Sequence, residues 1–345
     1  MRTLANTFLA LVVVVLCLWQ LPWCMRFFFP EHTTNVPFML YSSLKGDFIE
    51  ISSDGHTPVR RTLQGEDLTV EAADSLLPFF FTTQLTRNGS MPDTILGYAV
   101  TPQLIQHTNI PSFRIMARDI NRPEVHLWGL LESMPRRVNL EMPDDMFRFT
   151  ADGIEFVDMT TNTVNAAKSE RFTDALRKKG FALPALRVNG NCTTRKDYDE
   201  GYLLIDSNKH LYHLKMTAGR PYVKAITDDA SRRYDYVFIT EFRSRIIRGL
   251  AIAEDGVLYA ITPQYDVVPL GDGDIHFDPT SANLTLMGNM LDWTLRISTS
   301  QAEELYALSA QDFSLLKHAV IDAPDPHPFG LHFTEGTDRW VKPRF

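Results

Sequence analysis

The densest run of charged side chains in this 345-residue chain lies at residues 193–201. Arg195 and Lys196 could bind an anion, whereas Asp199 and Glu200 could bind a cation or accept a proton from a substrate. The alternative is a solvated loop in which Arg195 pairs with a nearby carboxylate. The run therefore indicates either a binding loop, with these four residues as its candidates, or an ordinary surface loop.

A second candidate site has four residues of metal-binding type spaced two apart. They are Asp272, Asp274, His276 and Asp278. Side chains at this spacing would lie on one face if the segment were extended. Oxygen-rich ligand sets suit calcium, but the segment lacks the EF-hand layout and its terminal glutamate. The sequence thus indicates a calcium site or a plain acidic turn, and no other cofactor.

Motifs of the common catalytic and nucleotide-binding classes are absent from the sequence. There is no Gly-x-Ser-x-Gly elbow, His-Glu-x-x-His pair, Walker loop, Gly-x-Gly-x-x-Gly loop or Cys-x-x-Cys pair. Only Cys192 lies in the body of the chain, so a disulfide framework is not expected there. The net charge of −8 and the lack of basic blocks argue against a nucleic-acid partner.

The N-terminal segment is predicted to cross a membrane. Residues 4–25 are almost wholly apolar and uncharged, and a helix of about 22 residues would span a bilayer core of about 30 Å. A cleavable signal with residues 8–18 as its apolar region, or a buried core helix, are the alternatives, but no small-x-small cleavage site follows. We expect an uncleaved anchor at residues 1–30 and one domain at residues 31–345. This predicts a single-pass inner-membrane protein with its large domain on the periplasmic side.

A hairpin pattern recurs five times along the chain, each time as an apolar run, a polar turn and a second apolar or alternating run. The residues that open the second run are Gly46, Gly153, Lys209, Gly256 and Glu303. The last two intervals between them are both 47 residues. Periods of about 40–50 residues with several short strands per unit are typical of propeller blades.

The regions around these hairpins complete the predicted architecture. Further apolar runs flank the later hairpins, so each unit can hold four antiparallel strands. Helical insertions are predicted at residues 69–85, interrupted by Pro78, and at residues 170–180. The predicted fold is therefore mainly β and β-propeller-like, with about six blades of antiparallel strands after one N-terminal transmembrane helix. A β-sandwich or a set of stacked meanders are the alternatives.

Several short motifs resemble those of a known family. They are Leu-Glu-Ser at 131–133, Glu-Met-Pro at 141–143, Glu-Phe-Val-Asp at 155–158, Glu-Arg-Phe at 170–172, Lys-Gly-Phe at 179–181, Thr-Thr-Arg-Lys at 193–196 and Tyr-Asp-Glu-Gly-Tyr at 198–202. The chain resembles, over residues 38–320, a family of membrane-anchored bacterial envelope proteins classed as a domain of unknown function. The resemblance implies an envelope location and an accessory role beside transport systems, often ABC exporters. It supplies no catalytic residue.

Two hypotheses on function follow from these observations. The first is a non-catalytic, membrane-anchored envelope protein whose β-rich domain binds a partner, such as a transporter complex. The second is an anchored hydrolase or lyase with its site at the propeller rim, built from loops such as 193–200 and 271–278. A deep pocket with clustered charged side chains would favour the enzyme, and a flat apolar patch would favour the partner.

Overall fold

The N-terminal helix is largely exposed. The computed structural model describes residues 2–28, 36–55, 57–136, 139–226, 229, 231–299, 302–322, 332–333 and 343–344. Helix α1 (Arg2–Phe28) is the one described helix that is long and apolar enough to cross a membrane, and none of its most apolar stretch is buried. A cleavable signal sequence would have the same length and composition. The predicted N-terminal apolar helix is confirmed, and its placement in a membrane stays a prediction.

Five shorter α-helices interrupt the β-rich body in the described part of the chain. They are α2 (Val70–Leu76), α3 (Thr82–Asn88), α4 (Pro102–Thr108), α5 (Ala117–Ile120) and α6 (Ala166–Lys178). Thr69 caps α2 because its hydroxyl accepts a hydrogen bond from the Ala72 N–H at 3.2 Å. The helical segment predicted from residue 69 is broken next to Pro78, as expected, because proline cannot donate the backbone hydrogen bond that a helix needs. The insertion predicted at residues 170–180 corresponds to α6.

Most of the strands belong to five antiparallel sheets. Sheet 1 contains β1 (Met39–Ser42), β2 (Asp47–Asp54) and β3 (Thr57–Thr62), and a separate hairpin contains β4 (Thr94–Ile95) and β5 (Tyr98–Ala99). After β6 (Ile110–Ile115), sheet 2 contains β7 (Trp128–Gly129), β8 (Asp145–Phe149) and β9 (Ile154–Asp158). Sheet 3 contains β10 (Arg187–Gly190), β11 (Tyr202–Ile205), β12 (Leu211–Thr217) and β13 (Arg220–Ile226).

The later sheets follow the same sequential pattern, with one addition. Sheet 4 contains β14 (Tyr234–Ile239), β15 (Gly249–Ala253), β16 (Leu258–Ile261) and β17 (Val267–Pro269). Sheet 5 contains β18 (Asn283–Gly288), β19 (Asp292–Ser298), β20 (Ala302–Ser309) and β21 (Leu315–Asp322), with β6 paired to β18 at its edge. A last short hairpin contains β22 (His332–Phe333) and β23 (Pro343–Arg344). Strand β6, from the first third of the chain, is therefore the edge strand of sheet 5, whose other strands come from residues 283–322.

All five predicted hairpins are present as antiparallel pairs. They are β1–β2, β8–β9, β11–β12, β15–β16 and β19–β20. Gly46, Lys209 and Gly256 have positive φ angles of 69°, 63° and 85° at the turn. Tight hairpin turns need this left-handed backbone, which explains the glycines at two of the three positions. The prediction of a mainly β fold is confirmed.

The sheets pack face to face through four apolar clusters. Sheet 2 packs on sheet 3, where the Phe147 and Tyr202 rings lie 5.0 Å apart between centroids, and sheet 3 packs on sheet 4. Sheet 4 packs on sheet 5 through residues such as Leu250 and Leu308. Phe48 of sheet 1 packs against Leu305 of sheet 5. Successive sheets thus share their cores, in the packing order 2, 3, 4, 5, 1.

The contact between sheets 1 and 5 involves different turns from the contact between sheets 3 and 4. The turns of sheets 3 and 4 lie at one end, because Lys209 in the β11–β12 turn pairs with Glu254 in the β15–β16 turn at 2.6 Å. By contrast, Asp47 at the β1–β2 turn pairs with Lys317 near the start of β21, at the end of sheet 5 opposite its own β19–β20 turn. A closed ring of about six blades is not confirmed for the part of the chain that the structure describes.

Candidate binding groove

The charged loop at residues 193–200 packs against the β14–β15 loop of the neighbouring sheet. The Tyr198 hydroxyl donates a hydrogen bond to the Phe242 carbonyl oxygen at 2.8 Å. Arg243 Nε donates to Asp197 Oδ2 at 2.6 Å. These contacts join the β10–β11 loop of sheet 3 to the β14–β15 loop of sheet 4, at the ends of their strands. The loop that the sequence singles out is therefore half of a two-loop structure.

Lys196 is the centre of the first buried ionic cluster. Its side chain is 7% exposed, and its ammonium group lies 2.6 Å from both Asp199 Oδ1 and Glu241 Oε1. It also donates to the Asn191 carbonyl oxygen at 2.5 Å. Asp199 accepts a further hydrogen bond from Ser133 Oγ. Burial raises the pKa of Glu241 in spite of its hydrogen bonds and its pairing with Lys196.

Glu200 is the centre of a second cluster immediately beside the first. Its Oε2 atom accepts hydrogen bonds from Arg248 at 2.7 Å and from Lys215 at 3.0 Å. Burial acts to raise the pKa of Glu200, but Lys215 and Arg248 outweigh it and hold the pKa below its usual value. The backbone N–H of Glu200 donates to Glu241 at 2.9 Å and so links the two clusters.

His213 closes the second cluster as a neutral side chain. Its Nε2 lies 2.5 Å from the Glu200 carbonyl oxygen, which can only accept, so the ring proton is on Nε2. Its Nδ1 then accepts from the Tyr265 hydroxyl at 2.8 Å, and Tyr265 lies 3.1 Å from the Tyr222 hydroxyl. Burial lowers the pKa of His213 to about 4. The series of hydrogen bonds from the Glu200 carbonyl oxygen through His213 and Tyr265 to Tyr222 is therefore complete without a charge on the imidazole ring.

His213 should make the protein sensitive to acid. An unfolded histidine has a pKa of about 6.5, so between that pH and about pH 4 the unfolded chain binds the proton and the folded protein does not. The contribution of neutral His213 to the free energy of unfolding is fully present above about pH 6.5. It falls by about 3 kcal/mol by about pH 4. We expect His213→Gln, which keeps a donor for the carbonyl oxygen, to remove this part of the pH dependence in urea unfolding. Parallel curves for the two proteins would contradict the assignment.

A polar groove lies directly outside these clusters. It has a volume of about 580 Å³, and α4 forms its wall opposite the two loops. The lining residues are Gln103, Gln106, His107, Asp197, Tyr198, Arg243, Ser244 and Arg245. The guanidinium of Arg245 lies 4.0 Å from the centre of the Tyr198 ring, a cation–π contact that orients both side chains. The buried Ser244 Oγ has no hydrogen-bond partner among the described residues, so the groove contains an unsatisfied polar atom.

The four predicted binding residues fall into two groups. Arg195 is exposed, and among the described residues its side chain has no hydrogen-bond or ion-pair partner, so the predicted pairing with a carboxylate is not seen. Lys196, Asp199 and Glu200 are instead buried within the protein by their mutual pairing. They cannot contact a ligand directly without breaking these ion pairs. Their ion pairs instead hold together the two loops that form the groove.

The acidic segment predicted as a calcium site is not extended. Residues Leu270–Gly273 form a 3₁₀ turn, with a positive φ of 61° at Asp272. Asp278 is used locally, because its carboxylate accepts hydrogen bonds from both the N–H and the hydroxyl of Thr280. The segment therefore lacks the period-two geometry on which the site depended for Asp272, Asp274, His276 and Asp278. No cluster of three or more metal-binding side chains occurs in the described part of the chain.

The groove contains residues that the sequence analysis did not single out. Helix α4 contributes Gln103, Gln106 and His107, which are 86 residues or more from the loop at 193–200. Only the arginine-rich run Arg243-Ser-Arg245, followed by Arg248, offered a signal. Cations at this spacing opposite an acidic loop could have suggested that the two segments pair.

These features define a mainly β protein with an N-terminal apolar helix and a polar groove at one edge of its sheets. A family model described as a domain of unknown function, DUF4857, matches residues 38–308. Because this match covers most of the chain, the protein belongs to that family, as the resemblance over residues 38–320 implied. No match was found among curated proteins.

Two solved structures show a distant likeness. The first is titled "Structure of Dos1 propeller": it is 10% identical, with a TM-score of 0.31, and the match covers 51% of this chain and 44% of that one. The second is dihydro-heme d1 dehydrogenase NirN in complex with DHE: it is 12% identical, with a TM-score of 0.25, and the match covers 74% of this chain and 65% of that one. The chain thus spans less than two thirds of the length of each. Likenesses at these scores carry no argument about function.

Proposed function

We propose that the protein is a non-catalytic, membrane-anchored envelope protein whose β-rich body binds a partner as an accessory component of a transport system. The observation that carries the proposal is the exposure of α1. Leu4, Phe8 and Trp19 are 79%, 69% and 69% exposed, and the described residues of the body bury none of the apolar stretch around them. Such a surface is unfavourable in water, and a bilayer would cover it.

The proposal includes the topology and the arrangement of the sheets. The helix anchors the protein in the inner membrane, and the body lies on the periplasmic side. The sheets form a propeller-like array of about six units, which the sequential four-stranded sheets 3 and 4 support. The partner is a membrane-embedded transporter complex, as the family resemblance suggests. An anchor of this kind would hold the groove within reach of such a partner.

The polar groove is the proposed contact surface. Its two loops are held by buried ion pairs, and a surface organised before binding loses less conformational entropy when a partner docks. Arg243 and Arg245 add charged groups of the kind that recur in protein interfaces. The alternative hypothesis of an anchored hydrolase or lyase would need an unpaired catalytic carboxylate. Asp199 and Glu200 are paired with cations, so neither is free to act as a catalytic carboxylate beside the groove.

Site-specific photo-crosslinking in intact membranes tests the partner. A photoreactive residue at Gln106, in the groove, should form an adduct with an integral membrane subunit of a transporter. The matched position is Arg171, an exposed residue of α6, the helix that packs against β9 and β13. We expect an adduct from Gln106 and none from Arg171. Equal labelling from both positions, or no transporter subunit at Gln106, would contradict the proposed surface.

A further inference from the structure

A small cavity lies between sheets 1 and 5, close to the segment that joins α2 and α3. Its volume is about 70 Å³, and most of its wall is apolar, including Leu40, Ile110 and Met287. Leu44 and Phe80 also line it and are 40% and 44% exposed, so the cavity has an apolar mouth open to solvent. This site is separate from the polar groove and shares no lining residue with it.

A buried carboxylate without a counter-ion belongs to the wall of this cavity. Asp292 is 4% exposed, and no cation lies within ion-pair distance of it in the described part of the chain. Ser43 donates to its Oδ2 through the backbone N–H at 3.3 Å and the hydroxyl at 2.5 Å, and Asn289 donates to its Oδ1 at 3.0 Å. A carboxylate has about four acceptor positions, so about one is free. Burial raises the pKa of Asp292, which these hydrogen bonds only partly oppose.

A second unsatisfied acceptor lines the same cavity. Asn109 Nδ2 donates to the Phe79 carbonyl oxygen at 2.8 Å. Because that oxygen can only accept, the contact fixes the orientation of the amide, and Oδ1 must point elsewhere. The Oδ1 atom is buried and has no hydrogen-bond partner among the described residues. Buried acceptors of this kind are normally satisfied, so the cavity lacks a donor.

We propose that this cavity binds the ammonium group and short apolar chain of a small primary alkylamine. The ammonium offers three donors and no acceptor, and it matches a free carboxylate position on Asp292 and the bare Oδ1 of Asn109. The alkyl chain packs against Leu40 and Met287. The volume is about half of the roughly 150 Å³ that accommodates benzene in an engineered cavity, so the ammonium group and about two carbons fill it. A longer chain extends past Leu44 and Phe80 at the open mouth.

Binding of three four-carbon probes to the full-length chain in detergent micelles tests the proposal. They are n-butylamine, n-butanol and butyrate, which share the alkyl chain and differ in the head group. We expect n-butylamine to bind at least about tenfold more tightly than n-butanol, because a charge-assisted hydrogen bond adds to the apolar contact. Butyrate should not bind, because its charge repels Asp292. Equal affinities for the amine and the alcohol would overturn the proposal.

Variants of the two acceptors show whether the amine occupies this cavity. Asp292→Asn and Asn109→Ala should each weaken amine binding by at least about tenfold, and Asp292→Asn should also remove the preference for amine over alcohol. The matched control is Asp47→Asn, because Asp47 is also a buried carboxylate of this region but is paired with Lys317. If one of these two variants does not fold, amine binding by the other still tests the assignment. Amine binding that survives in a folded acceptor variant, or is lost equally in Asp47→Asn, would contradict the assignment.

Discussion

Lys196→Met is expected to destabilise the folded protein by about 3–5 kcal/mol at neutral pH. The substitution leaves Asp199 and Glu241 buried beside each other without the cation that lies 2.6 Å from both. Two buried carboxylates cannot both stay ionised, so one must take up a proton. Removal of the cation raises the pKa of Glu241 further in the folded state, because Lys196 opposes the effect of burial, and the loss of stability should shrink as the pH falls. Urea unfolding at several pH values measures both effects.

Lys209→Met is the matched control for this prediction. Lys209 also pairs with two carboxylates, Asp235 at 2.7 Å and Glu254 at 2.6 Å, but its side chain is 35% exposed. Solvent screens these pairs, so we expect a loss below about 1 kcal/mol. Similar losses for the two variants would show that burial of the Lys196 cluster does not support the groove.

Gly201→Ala is expected to destabilise the protein by more than about 3 kcal/mol. Gly201 follows the charged loop directly and has a φ angle of +67°. A Cβ atom there would lie 2.3 Å from the Leu214 carbonyl oxygen, which belongs to the paired strand β12. Backbone atoms cannot move away as a flexible side chain can, so the substitution should disrupt the first pair of the β11–β12 hairpin. The cost is that of overpacking added to the left-handed backbone.

Gly219→Ala separates these two contributions. Gly219 has a similar φ angle of +71°, but a Cβ atom there would meet nothing within 4 Å. Only the backbone penalty of about 1–2 kcal/mol should remain. The measurement is the urea midpoint of each variant at constant slope. Equal midpoints for the two variants would mean that β12 moves freely, contrary to the tight packing that holds this loop.

The hairpins could be predicted from the sequence because their information is local. The apolar alternation before and after Lys209 and Gly256 gives the strand faces, and the turn residue gives the register. The pairing of β6 with β18 could not be predicted, because about 170 residues separate the two strands and no local pattern specifies their contact. The packing of sheet 1 on sheet 5 could not be predicted for the same reason.

The candidate site was predicted only in part. The loop at residues 193–200 was identified from its charge density, but charge density does not show which side chains are buried. Lys196 and Glu200 are buried because Glu241 and Arg248 come from another sheet. Similarly, the spacing of Asp272 and Asp278 suggested an extended segment, whereas the intervening backbone turns. Alternation indicates a shared face only after the segment is known to be a strand.

Membrane extraction followed by intact mass measurement tests the central claim most directly. An integral anchor stays with the bilayer in alkaline carbonate, because the apolar surface of α1 is transferred to water only at great cost. We expect the full-length chain to remain in the carbonate-resistant pellet with a mass that includes residues 2–28, and its body to be digested by protease added to spheroplasts. A soluble protein whose mass lacks the N-terminal segment, or a body protected from that protease, would contradict the proposed anchored envelope protein.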